Sequence, residues 1–237
     1  MDSAPIRSAV LTGAEPLARN TNLYRFDLDV PLQFEAGQFA NLTIPGATPR
    51  GERSYSMWAP PDPAGNASVE FAIQLFAGGQ ASDYLRSAPV GTPFELRGPY
   101  GHFTLRGDDP DHPTTAHWFL ATSTGLAPFH AMLAAAARAG DPRRFRLLFG
   151  CREEQDMFGL AALDALRDRL DFAYSVCLSR PQGATRHNVG RITAHMPAAD
   201  PAARYYLCGN GAMITEAREL LKARGIDRKR IHHEKYW

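Results

Sequence analysis

Residues 107–113, Gly-Asp-Asp-Pro-Asp-His-Pro, separate two kinds of pattern, and that change constrains the fold more than any other feature of the chain. Before them, short runs rich in β-branched and aromatic residues (6–11, 22–28, 38–44, 54–58, 68–76 and 93–96) alternate with Gly, Pro, Asn and Asp clusters. Six short strands so spaced predict an antiparallel β-barrel, which 98–101 (Gly-Pro-Tyr-Gly) is expected to close as a tight turn. After them, strands at 117–122, 145–150, 172–178 and 204–208 alternate with helices at 128–139, 159–170 and 211–224. That order predicts a doubly wound α/β parallel sheet. The chain therefore divides into a barrel (1–106), a linker (107–113) and an α/β unit (114–237).

Composition removes several function classes. Hydrophobic residues at 44% and charged ones at 22% are ordinary for a globular protein, and 26 basic against 25 acidic residues leave no field to attract nucleic acid or an anionic membrane. No apolar run approaches the ~20 residues of a membrane helix. Three scattered cysteines argue against a disulfide framework and predict a cytoplasmic setting. A four-thiolate iron–sulfur centre is expected, if anywhere, on another chain.

Five stretches carry chemistry. Arg53-Ser54-Tyr55-Ser56 places a phosphate-seeking cation, a stackable ring and small hydroxyls on one short strand, an arrangement that suits a flavin nucleotide, although alone it also reads as an exposed strand. Gly78-Gly79-Gln80-Ala81-Ser82 follows a strand and opens a helix, where free N–H groups and the positive dipole end face an anion. Thr122 to Pro128, with Gly125 and Leu126, is a small-residue turn after a strand that brings backbone amides towards a pyrophosphate.

Ser179-Arg180, with Arg186 and Arg191 downstream, offers the cations and hydroxyls of a 2′-phosphate site and so favours NADP over NAD. Cys208-Gly209-Asn-Gly-Ala-Met213 places a thiol at a strand's carboxyl end, where α/β sheets bind ligands. The tail, 231–237, ends Tyr236-Trp237, which either packs on an edge or covers a flavin ring.

Taken together these stretches resemble the ferredoxin/flavodoxin–NADP reductase family, in its bacterial, FAD-containing form, over nearly the whole chain. The resemblance implies FAD and NADP as cofactors, with Arg53 on the flavin pyrophosphate, Tyr55 on the isoalloxazine, Ser56 near N5 and 78–82 around the phosphates. It places Ser56, Cys208 and Glu234 at the flavin–nicotinamide meeting point, and Tyr236 and Trp237 on the rings. Thr122, Gly125, Leu126, Arg152, Ser179, Arg180, Arg186, Gly209 and Met213 would follow the NADP.

It implies electron exchange between NADPH and an acidic ferredoxin or flavodoxin, steered by the basic clusters 143–146 and 222–230, with the enzyme acting as a monomer. The alternatives are the reductase component of a multicomponent oxygenase and a nucleotide-binding regulatory subunit without turnover.

Overall fold

The computed structural model describes residues 4–46, 51–107 and 114–236. Most of the expected linker lies outside them. The first half forms β1 (Ile6–Ala18), β2 (Thr21–Leu32), β3 (Phe39–Thr43), β4 (Glu52–Ser56), β5 (Asn66–Gln74), helix α1 (Gln80–Ser87) and β6 (Pro93–Tyr100). All its pairings are antiparallel, in the order β4-β3-β6-β1-β2-β5. The two outer strands approach each other: just past β4, Trp58 N–H donates to Glu70 O of β5 at 2.8 Å. The sheet thus curls into a barrel, and Tyr24, Phe26, Leu42, Phe71 and Leu96 fill it with no exposed surface. The turn expected at 98–101 is corrected: Gly98 and Pro99 lie inside β6, where a Cβ on Gly98 would stand 3.0 Å from that of Ala40. Only glycine lets the two strands approach so closely there.

The second half forms β7 (His117–Thr122), α2 (Leu126–Ala139), β8 (Arg144–Cys151), α3 (Leu160–Arg167), β9 (Asp171–Leu178), β10 (Asn188–Val189), β11 (Arg204–Gly209), α4 (Gly211–Ala223) and β12 (Ile231–Lys235). Its strands are all parallel, in the order β10-β9-β8-β7-β11-β12. Alternation sends Phe145, Leu147 and Phe149 to the core under α2 and α3, and Leu148 to the core under α4. Strand order reverses between β7 and β11, which makes their carboxyl ends the switch point where such sheets bind ligands.

Two strands, β10 and β12, are absent from the sequence-based reading, and both are polar or very short. β12 turns most of the expected tail into a sheet edge and fixes Glu234 at a register position. The basic clusters stand at the wrong end of the sheet for the site described below. Arg144 and Arg146 open β8 and pair with Asp171, while Arg228 to Arg230 immediately precede β12. A strand of five to eight residues separates them from the carboxyl ends, roughly 15–25 Å at 3.3 Å per residue.

Candidate active site

Ser56 ends β4 buried, and its hydroxyl lies 3.2 Å from Glu234 Oε1 while accepting from the Tyr236 hydroxyl at 2.7 Å. A hydroxyl has one proton to give, so the donor chain runs Tyr236 to Ser56 to Glu234. Glu234 is paired in register with Cys208, which is fully buried on β11. Strand pairing and the curl of the barrel therefore bring Ser56, Cys208 and Glu234 together beside the switch point. Ser54 and Ser56 share a face by alternation, yet only Ser56 is buried, because the β12 segment covers that end of β4.

Burial sets the charge state of this cluster. It raises the Glu234 carboxyl to about 7, with the Ser56 hydrogen bond pulling the other way. It also raises the Cys208 thiol and the Tyr236 phenol well above their ordinary values, with the Glu234 charge adding to both. At neutral pH the cluster is thus one half-ionised carboxyl among neutral donors. Because the folded state holds the Glu234 proton more tightly, the stabilisation is complete below the ordinary value of 4.5 and is lost as pH rises through about 7. Between pH 5 and 8 the parent should lose roughly 1–3 kcal/mol relative to Glu234→Gln, the amide being a neutral stand-in for the acid. Thermal unfolding of both proteins at the two pH values checks this; parallel curves would contradict it.

Elsewhere on β4, Arg53 and Ser54, on opposite faces, are exposed, and Tyr55 is half-buried. Ser54 Oγ donates to Asn41 Oδ1 at 2.7 Å. The Tyr55 ring packs on Phe71, with centroids 5.8 Å apart, and burial pushes its phenol up to about 12, so the ring is neutral. Nearby, Gly78 takes φ +73 with nothing within 4 Å of where a Cβ would stand, and Gly79 caps α1 without a side-chain hydrogen bond. The first-turn amides at Gln80 and Ala81 therefore meet no side-chain acceptor at the cap, which fits an anion cradle. Ser82 is buried, and its Oγ accepts from Phe76 N–H at 2.9 Å, so it builds the turn.

A crevice of about 750 Å³ opens at the switch point. Thr122, Arg152, Ser179, Gly209 and Met213 line it, together with Tyr236 and Arg191. Gly209 takes φ +124, and a Cβ there would stand 2.3 Å from Thr122 Oγ1, which instead accepts from Asn210 N–H at 2.9 Å. One further expectation is corrected. Leu126 is a fully buried core residue, and Gly125 exists for packing, since a Cβ would strike the Cys208 carbonyl at 2.3 Å. Arg180 and Arg186 are exposed. Trp237 lies outside the described residues.

The sequence-based reading missed the barrel's side of the crevice. Arg19, Asn20 and Gln74 line it; Gln74 Oε1 accepts from Ser123 Oγ at 3.0 Å, and Arg19 binds Glu153 and Asp156 at 2.7 and 2.9 Å. Arg19 and Asn20 form a hairpin tip in the pattern, which carries no signal of a ligand.

The comparisons with known proteins agree with this architecture. An "Oxidoreductase FAD-binding domain" model matches residues 8–105 and an "Oxidoreductase NAD-binding domain" model matches 119–219. The chain is 35% identical to a ferredoxin–NADP reductase B of Sorangium cellulosum, covering 93% of this chain and 92% of that one. It is 30% identical to the reductase component of a Rhodococcus jostii propane 2-monooxygenase, covering 95% of this chain but only 62% of that longer protein. A crystal structure of an Amycolatopsis cytochrome P450 reductase superposes with a TM-score of 0.85 at 26% identity, over 100% of this chain and 72% of that one. Among the described residues, no helix is long and apolar enough to cross a membrane. With both dinucleotide-binding units matched in order, and a relative of nearly equal length aligned end to end, the chain belongs to the ferredoxin/flavodoxin–NADP reductase family of FAD-dependent oxidoreductases.

Proposed function

We propose that this protein takes a hydride from NADPH and passes single electrons to a carrier protein of the ferredoxin or flavodoxin type. The observation that carries this reading is the Ser56–Glu234–Tyr236 cluster at the inner end of the crevice, with Cys208 behind it. FAD, when bound, accepts two electrons as hydride and releases them one at a time. Everything else falls to the chain's own residues, which orient the reactants and hold a proton. Tyr55 offers a neutral ring for stacking, Arg53 and the α1 amides offer positive charge to phosphates, and Ser56 holds a hydroxyl beside a carboxyl poised near neutrality. The FAD-binding role extends over 53–56 and 78–82, with the boundary between the two units in 107–113.

Tyr236, half-buried against the crevice, excludes water from the inner end and must shift to admit a nicotinamide ring. On the nucleotide side, Arg152, Ser179 and Arg191 suit a 2′-phosphate. Losing one charge-assisted contact removes about 1.5–3 kcal/mol, so Arg191→Ala should narrow the preference for NADPH over NADH by roughly 10–100-fold. Rates of flavin reduction with each nucleotide measure this, and an unchanged ratio would remove Arg191 from the site.

The basic clusters 143–146 and 222–230 do not support carrier docking, since they stand beyond the opposite end of the sheet. Exposed Lys235, next to Glu234, and exposed His102, next to a Gly101 whose Cβ, were one present, would stand 3.6 Å from Glu234 Oε2, are basic side chains closer to the cluster. The Rhodococcus relative supports a second reading, a reductase component of an oxygenase. These 237 residues hold three cysteines, one fewer than a four-thiolate centre needs. Rapid NADPH-dependent reduction of an acidic ferredoxin or flavodoxin, slowing as salt rises, supports the first reading. Equal flavin reduction by NADH and NADPH, with electrons accepted only by an oxygenase component, supports the second. The three cysteines are all free and buried, in keeping with a cytoplasmic setting.

A further inference from the structure

Two successive residues after Ser56 enter different cores. Met57 is 1% exposed in the barrel core, whereas Trp58 is 6% exposed in the core under α2 and α3. Backbone bonds fix both: Met57 N–H donates to Gln38 O at 3.1 Å, and Trp58 N–H to Glu70 O at 2.8 Å. On the far side the Trp58 indole stacks on the imidazole of His130, with centroids 4.0 Å apart and planes 8° from parallel. His130 Nδ1 lies 2.9 Å from the Trp58 carbonyl, a geometry that requires the proton on Nδ1. The outer edge of the indole faces Phe158 and the backbone of Gly159, where even a Cβ would come within 3.0 Å of the ring.

His130 lies in the second turn of α2, and α2 grows directly out of the turn 123–125 that is wedged against the Cys208 carbonyl. A rigid path of backbone and stacked rings therefore connects Ser56, on the flavin-side strand, with the Thr122–Gly125 turn on the nucleotide side. The contacts of Arg19 with Glu153 and Asp156, elsewhere between the halves, are exposed and weaker. Beside the direct contacts of Ser56 with Glu234 and Tyr236, Trp58 and His130 form a stacked contact between the halves two residues along from Ser56.

We propose that Trp58 and His130 are positioning residues that fix the distance between the flavin-bearing strand β4 and the nucleotide-bearing turn 122–125, and through it the approach of nicotinamide to the flavin. This rests on the proposed function and adds to it the element that sets the gap. Neither residue meets the reacting atoms. Their effect falls on the hydride-transfer step rather than on nucleotide affinity, since the crevice walls remain in place.

The test uses the full chain with three substitutions at His130 and one at Trp58. His130→Ala removes ring and donor; His130→Asn keeps a donor, His130→Phe keeps a flat ring, and Trp58→Phe keeps a smaller one. A misplacement of about 1 Å costs on the order of 10²-fold in rate, so His130→Ala should slow anaerobic flavin reduction roughly 10–100-fold, with the NADPH dissociation constant within about threefold. His130→Asn and His130→Phe should each recover part of the rate. In the flavin-free protein, hydrogen exchange of the amides at 56–58 and 122–126 should accelerate together in His130→Ala and in Trp58→Phe.

Parental reduction rates in His130→Ala and Trp58→Phe would overturn the proposal, as would a rate loss matched by an equal loss of NADPH affinity. Unchanged exchange at both segments would also overturn it. If the parent itself fails to accept hydride from NADPH, it is the proposed function that falls, and the exchange measurement still decides whether the two segments are coupled.

Discussion

Tyr55→Ala is expected to fold and to lose most of its FAD, with affinity weakened about 10–100-fold, while Tyr55→Phe stays close to the parent. The ring is half-buried at the barrel's edge, supported from below by Phe71 and neutral at every working pH, so its free face is a flat apolar shelf. Stacking of a heteroaromatic on such a ring contributes about 1–3 kcal/mol, which sets the size of the loss. The phenol oxygen is dispensable in this account because stacking needs the ring alone. Fluorescence of released flavin on dilution measures the dissociation constant, and equal losses in Tyr55→Ala and Tyr55→Phe would show that the hydroxyl, not the ring, holds the cofactor.

Ser56→Ala is expected to keep its FAD and to slow flavin reduction by roughly 10²-fold, the lower end of what a positioned proton-handling group supplies. Ser56 sits between two partners, accepting from Tyr236 and donating to Glu234. Its removal takes the donor from the buried Glu234 carboxyl and one acceptor from the Tyr236 phenol. The Ser56 bond is the influence that holds the Glu234 pKa down against burial, so its loss should raise that pKa above its value of about 7. The carboxyl left without that donor also costs about 1–3 kcal/mol of stability, so the variant melts lower while retaining its flavin. If Ser56→Ala released flavin as readily as Tyr55→Ala, the separation of binding from proton handling within β4 would be wrong.

Much of this architecture is legible in the sequence because its signals are local. The strand at His117–Thr122 matches its pattern residue for residue, and α4 falls within a residue of expectation, since periodicity and glycine punctuation sit inside each element. The Ser56–Glu234 cluster is different. Ser56 and Glu234 are 178 residues apart, and nothing in their spacing joins them; the family resemblance supplied the association, and the pairing of β12 with β11 supplies its physical cause.

The misreadings share that origin. Leu126 looked like part of a nucleotide loop because it follows Thr122-Ser-Thr-Gly, yet a leucine at the first turn of a helix beneath a parallel sheet is core. Arg143 to Arg146 looked like a docking patch because charge is visible in sequence, whereas their position at the amino end of β8 and their ion pairs are not.

The central claim is hydride transfer from NADPH to a flavin held against β4. Anaerobic mixing of the purified, FAD-loaded protein with NADPH or NADH, followed at the flavin absorbance, tests it most directly. The account predicts a yellow protein that NADPH bleaches much faster than NADH does; a protein that takes up no FAD, or holds FAD that neither nucleotide bleaches, would contradict it.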